Sequence, residues 1–344
     1  MKKMVLISLI IFNLTFVFGH QKTKPDIRLV FYNVENFYDW QNDPLTNDEE
    51  FLPEGNRKWS KFRFGDKASN IYKVFTAVGE TEFPDIIGMA EVENAFVLNY
   101  LIRETPLKKV PLGIVHNESP DPRGIDACIL YRTDKLKLLS SDFIRIVNKN
   151  GEVQNTREIV YASFQTKGNG VLHVFVNHWP SRRGGEMASQ QKRYLVASIL
   201  RQKVDSIQKL DKSANIVITG DFNDEPFNNS ITKVLKAVAP GNEIVSSNLY
   251  NLSTQFVKKY GVGTLKYKGN WSVFDQIIVT GSLLGKNYLT TCSSCAGVFN
   301  NKFILTDDKT HMGFMPWRTY NGFNYSGGYS DHLPVYLNLY LNKP

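Results

Sequence analysis

Between residues 27 and 340 the chain repeats one pattern: a short run rich in Val, Ile, Phe and Tyr, closed at one end by a polar residue. Apolar runs of this length, bounded by polar or turn-forming residues, predict β-strands. They fall at Ile27–Asn33, Asp85–Glu91, Ala127–Arg132, Ile159–Gln165, Val171–Asn177, Asn215–Asp221, Phe274–Thr280 and Pro334–Tyr340. The spacing changes at Ala68–Val78, where Ile71, Tyr72, Phe75 and Val78 recur on one helical face. Glu186–Leu210 predicts a long helix with Tyr194, Leu195, Ala197, Ile199 and Leu200 towards the core. Many strands with few helices predict packed sheets with helices outside, rather than a single parallel sheet. Residues 38–66 and 281–329 are long, polar and weakly periodic, and are expected to be loops that grip a substrate.

The first residues follow a different pattern. Lys2 and Lys3 precede an apolar stretch, Met4 to Phe18, broken only by Ser8, Asn13 and Thr15, with small residues Val17 and Gly19 at its exit. A basic start, a short apolar run and a small-residue exit predict a signal peptide over residues 1–19, and export to the periplasm or the outside. The run is short for a bilayer span, so no stable membrane insertion is expected. No Cys lies near the cut, which argues against a lipid anchor. With no repeat or low-complexity linker, residues 20–344 are expected to form one domain, and a monomer.

The formal charge of +8 stays positive when Lys2 and Lys3 are lost. A basic balance favours polyanions such as nucleic acid or anionic lipid, although ordinary proteins share it. Cys128, in the apolar run Asp126-Ala-Cys-Ile-Leu-Tyr131, is expected to be a buried free thiol. Cys292 and Cys295, in an exported chain, predict a local disulfide.

Charge and chemistry meet at the strand ends. Asn33 closes the first strand with Glu35 just beyond, Glu91 the second, Asn177-His178 the fifth, and Asp221-Phe-Asn223 the sixth. Asp275 opens the seventh and Ser330-Asp331-His332 precedes the last. Singly each has a plain explanation: a solvated Glu, an Asx turn, a structural His. Together they place carboxylates, amides and two histidines on rigid supports, as a preorganised site requires. Phosphate-ester cleavage needs an activated water, neutralised phosphoryl oxygens and help for the leaving oxygen. Mg²⁺ prefers carboxylate and amide oxygens, which suits Glu91, Asn33 and Asp331. No Gly-x-Ser-x-Gly, Walker A or dinucleotide fingerprint occurs.

In order, Phe31-Tyr-Asn-Val-Glu-Asn36, Ile87-Gly-Met-Ala-Glu91, Val176-Asn-His-Trp-Pro-Ser181, Gly220-Asp-Phe-Asn223, Phe274-Asp-Gln-Ile-Ile278 and Tyr329-Ser-Asp-His-Leu-Pro-Val335 resemble the motifs of the endonuclease/exonuclease/phosphatase (DNase I-like) superfamily. The wording is similar to a bacterial exported branch. The resemblance implies an α/β fold, a four-layer α/β/β/α sandwich of two packed β-sheets with helices on both outer faces. It implies a metal site at Asn33, Glu91 and Asp331, taking Mg²⁺ or Mn²⁺. His332 would act as general base or electrostatically, Asp275 would fix its tautomer, and Asp221 would orient the water or serve the leaving oxygen. Asn223 and His178 would bind phosphoryl oxygens. Ala90 stands where the family often has Gln, and Glu93 leaves the metal set open. Arg123 is a candidate phosphate contact, as are Arg182 and Arg183; each is equally a surface turn residue. Arg318, in Trp317-Arg-Thr-Tyr320, is a further candidate.

The reading that follows is a secreted, metal-dependent nuclease acting on DNA or RNA. The alternative is a sphingomyelinase-like, phosphoinositide or other phosphate-ester hydrolase, which calls for an exposed apolar hairpin. Trp271 and Phe314-Met-Pro-Trp317 are the candidates for one, and both are expected to be packed in the core or against the loop. A degenerate member that only binds is a third reading. Retention of every acidic, amide and His position argues against it.

Overall fold

The computed structural model describes residues 24–285 and 287–342; the expected signal peptide at residues 1–19 lies outside them. The main strands are β1 (Ile27–Phe37), β2 (Ile86–Val92), β3 (Leu112–His116), β4 (Asp126–Arg132), β5 (Lys137–Ile144), β6 (Ile159–Gln165), β7 (Val171–His178) and β8 (Asn215–Asp221), then Asp275–Thr280 and Val335–Leu341. One sheet runs Val335–Leu341, β1, β2, β4, β3, with Leu289–Thr290 and Ala296–Val298 both paired to Val335–Leu341. The other runs β5, β6, β7, β8, Asp275–Thr280, Leu249–Asn251, Ala237–Val238. The pairs β1–β2 and β7–β8 are parallel, and Asp275–Thr280 runs antiparallel to β8.

The two-residue period of a strand sorts side chains between layers. In β7, Leu172, Val174 and Val176 enter the core between the sheets, while Phe175 points the other way. In β8, Val217 lies inward, and Ile216 and Ile218 join Phe175 under α3 (Glu186–Leu210). On the opposite outer face, α1 (Lys61–Gly79) lays Tyr32 against Phe75 and stacks Phe64 on Phe37. Ser60 caps α1 and Asn94 caps α2 (Ala95–Glu104), each accepting a bond from a first-turn N–H. The result is the four-layer α/β/β/α sandwich. Gly88 on β2 sets the spacing between the sheets, because a Cβ there would lie 2.7 Å from Val176 Cγ2.

The departures from the sequence expectations have local causes. The sequence pattern missed α2, β3 and β5. On β5, the polar run Ser140–Asp142 is exposed at a sheet edge. Arg193 and Ser189 lie on the buried face of α3 with Val196, Ala197, Leu200 and Val204; Tyr194, Leu195 and Ile199 flank it half-buried. Residues 281–329 contain small hairpins, Leu305–Asp307 with Phe314–Pro316 and Tyr320–Asn321 with Asn324–Tyr325. Trp271 is half-buried, but Phe314 is 58% exposed, contrary to the expectation that it packs in the core or against the loop. Cys292 and Cys295 form a disulfide, and Cys128 is a buried free thiol. Among the described residues, no helix is long and apolar enough to cross a membrane.

Candidate active site

Both parallel strand pairs end at the same edge of the sandwich. β1 and β2 lose register after Asn33 and Ala90. There Glu35, Asn36 and Glu91 take left-handed backbone, with φ of 53°, 54° and 64°. A bulge re-aims side chains, and non-glycine residues hold this conformation only where the surroundings impose it. Here the Asn36 N–H donates to Glu91 Oε2 at 2.9 Å, and the Glu35 N–H donates to Asn33 Oδ1 at 3.0 Å. In the second sheet, Gly220 (φ 151°) brings β8 close against Asn177; a Cβ would meet the Asn177 carbonyl oxygen at 2.2 Å. Next along the register, His178 pairs with Asp221, and Asp221 with Asp275.

Asp221 is the hub. Its Oδ2 accepts from Asn33 Nδ2 at 3.1 Å and lies 3.7 Å from His178 Nε2 and 3.8 Å from His332 Nε2. His332 Nδ1 is 2.7 Å from Asp275 Oδ2. The His332 loop is pinned by Ser330, whose hydroxyl donates to the Asn33 carbonyl and accepts the His332 N–H.

The two imidazoles are driven in opposite directions. Burial works against a charge on His332, but Asp275 and Asp221 overcome it and raise its pKa well above the ordinary value. Burial, with Arg157 and Arg123 nearby, holds His178 well below. Burial raises Asp221 to about 6 against the pull of His332. The surroundings thus favour the charged form of one histidine and the neutral form of the other, on either side of one carboxylate.

Glu91 keeps its side chain partly exposed, with Oε1 3.4 Å from Asn33 Nδ2 and 3.8 Å from His178 Nε2. Among the described residues, no three acidic, His or Cys side chains form a closed metal cage. Mg²⁺ is characteristically held by one or two carboxylates plus water and substrate oxygens, and the partly exposed Glu91 carboxylate fits it. The other two expected ligands have protein partners. Asn33 turns its amide nitrogen to Glu91 and Asp221 and its oxygen to the Glu35 N–H, so it bridges the two acids as a donor. Asp331 is paired with Arg318 at 2.8 Å.

Asn223 gives its side-chain N–H to the Trp179 carbonyl and its backbone N–H to Asp221 Oδ1. It orients Asp221, and that nitrogen is engaged with the backbone. Arg182 is likewise turned inward. It donates to the Asn223 carbonyl, pairs with Asp224 and lies 4.8 Å over the Phe274 ring, so it braces the loop. Arg183 is exposed. Arg123 is held by Asp121 at the site's flank.

Sequence reasoning missed the buried cations, Arg157 and Lys67 beside the site among them. Arg157 donates to Asp121 and to the Trp179 carbonyl, and no pattern before the Ile159 strand singles it out. Lys67 donates to Thr319 Oγ1 and the Tyr329 carbonyl, holding the closing motif. Its signal was present: Lys67 sits four residues before Ile71 on the apolar face of α1. Burial lowers Lys67 to about 8 and raises Glu35, with Asp331 nearby, to about 7.

The fold is shared with solved structures. The catalytic domain of human nocturnin with bound sulfate is 16% identical over 93% of this chain and 95% of its own, with a TM-score of 0.56. The mannosyl-6-phosphatase Bt3783 of Bacteroides thetaiotaomicron is 16% identical over 91% and 99%, with a TM-score of 0.55. D. rerio TDP2 complexed with a single-strand DNA product is 16% identical over 92% and 99%, with a TM-score of 0.55. No curated protein sequence matches the chain. Residues 28–342 match the model of the endonuclease/exonuclease/phosphatase family, and the chain, with this fold and the six strand-end motifs in their order, belongs to that family.

Proposed function

We propose that this phosphoesterase is a divalent-metal-dependent phosphodiesterase that hydrolyses nucleic acid. The observation that carries the chemistry is Asp221 set between His178 and His332, with Asp275 behind His332. Asp221, raised to about 6 by burial, is suited to take a proton from the attacking water. As the water oxygen bonds to phosphorus and the ester P–O bond breaks, His332, held charged by Asp275, stabilises the phosphoryl oxygens, and the leaving oxygen takes a proton from solvent water. His178, kept neutral, donates a hydrogen bond without adding charge. Asn33 holds Asp221 and Glu91 in mutual orientation. When bound at Glu91, Mg²⁺ or Mn²⁺ would neutralise phosphoryl charge.

The basic balance and the Arg123–Arg183 flank support a polyanionic substrate. The apolar segment at residues 4–18 supports export. The related fold of TDP2, solved with a single-strand DNA product, is compatible with the reading. The test mixes the protein with supercoiled plasmid, single-stranded DNA and RNA, with Mg²⁺ and then with EDTA, beside a His332→Ala variant. Metal-dependent cutting lost in the variant supports the proposal; intact polymers at low salt with Mg²⁺ and with Mn²⁺ overturn it.

One observation favours a second reading. Phe314 and Met312 are exposed on and beside one hairpin, as a lipid phosphodiesterase needs. Release of phosphocholine from sphingomyelin vesicles, lost on Phe314→Ser, would select it.

A further inference from the structure

Between the Arg157 segment, Pro180-Ser181 and α3 the sandwich carries a cavity of about 630 Å³ with no acidic side chain on its wall. Four cations line it: Arg123, Arg157, Arg183 and Lys192, with Asn155 and Thr156 adding polar groups. Arg157 is 6% exposed and its Nε has no hydrogen-bond partner, although its two terminal nitrogens are bound to Asp121 and the Trp179 carbonyl. Asp121 also holds Arg123, so it offsets one of the two charges at the inner wall. Arg183 and Lys192, on the outer wall, are exposed and carry no ion pair among the described residues. The cavity is tied to the reaction centre through its wall: Pro180 and Ser181 follow the His178-Trp179 segment in the chain, and Arg157 donates to the Trp179 carbonyl.

We propose that this basic cavity is a subsite for a second phosphate of the substrate, next to the one that is cleaved. A substrate with one phosphate leaves it empty, whereas a phosphodiester polymer fills it, so the cavity selects polyanions over simple esters. The inference rests on the phosphodiesterase reading for its substrate, but the cavity's own affinity can be measured apart from it. The ligand chemistry is an unesterified or diester phosphate, recognised by charge and by guanidinium geometry.

Lys192 stands outside the reaction centre and on the surface, so Lys192→Glu keeps the fold. On a thymidine trinucleotide, which has two phosphates, the variant should show a roughly tenfold rise in KM at unchanged kcat, and a salt slope shallower by about one. On bis(p-nitrophenyl) phosphate, which has one, it should match the wild type, and Lys192→Arg should restore the trinucleotide KM. An equal change on both substrates, or none on either, overturns the subsite. If the wild type cleaves neither, the phosphodiesterase reading falls alone, and calorimetric titration with inorganic tripolyphosphate decides the cavity. Binding lost in Lys192→Glu and kept in Lys192→Arg supports it; no binding by the wild type, or equal binding by all three proteins, overturns it.

Discussion

His332 Nδ1 lies 2.7 Å from Asp275 Oδ2, and this contact fixes which nitrogen of the imidazole faces Asp221. Asp275 is wholly buried, so the carboxylate acts through the ring. Asp275→Asn keeps the shape and removes the charge. It should lower kcat by about 10²–10⁴-fold with little change in KM. Steady-state kinetics on a phosphodiester reporter, with circular dichroism to confirm the fold, checks this.

Arg182 braces the loop that carries Asn223 and Asp224, so its loss should act through stability and geometry. Arg182→Ala is expected to cost about 1–3 kcal/mol, softened because Arg193 still pairs with Asp224. Its salt dependence of cleavage should stay that of the wild type. A shallower salt slope would mean that Arg182 touches substrate phosphate.

Gly88 and Val176 measure the gap between the sheets. A Cβ at Gly88 would lie 2.7 Å and 3.2 Å from the two Val176 methyls and 3.1 Å from Phe31, so Gly88→Ala overpacks the core. The expected loss is about 1–3 kcal/mol in urea unfolding. Val176→Ala should recover part of it in the double variant, a coupling that independent sites do not show.

Glu93 supplies a pH test. Burial, with Asp39, Asp48 and Asp43 close by, raises its carboxyl from 4.5 to about 8. The folded state therefore keeps a proton that the unfolded chain has lost. Folding carries no such penalty below about 4.5; the penalty grows as pH rises and is complete above about 8. Glu93→Gln, which stays neutral, should melt higher than the wild type at pH 8 in the presence of a chelator, and the difference should vanish at pH 4. Equal melting temperatures at both pH values would contradict the assignment.

Much of this was legible in the chain because strand and helix signals are local. Ile159–Gln165, Asn215–Asp221 and Glu186–Leu210 have the bounds their patterns predict. The site residues were legible for the same reason, as polar groups closing apolar runs. What could not be read was the direction in which they point. Asn33 turns its nitrogen to the acids because the bulge brings the Glu35 N–H to its oxygen, a matter of backbone geometry. Arg182 and Arg183 are neighbours with the same side chain, yet one packs on Phe274 and the other faces solvent. Lys67 and Arg193 look like ordinary surface charges until the tertiary fold buries them beside their partners.

The first sheet is closed by strands far apart in sequence: β1 lies against Val335–Leu341, and Arg28 meets Asn338 across 310 positions. Contacts that distant form late, because a long loop must be ordered before they return any stabilisation. On a translating ribosome β1 would wait for its neighbour until Val335–Leu341 had emerged, and His332 would arrive only three residues ahead of that neighbour. A chain that stops short of His332 lacks one side of the Asp221 site. The site would be assembled in a single closing event, when the last strand seats beside β1 and brings His332 to Asp221.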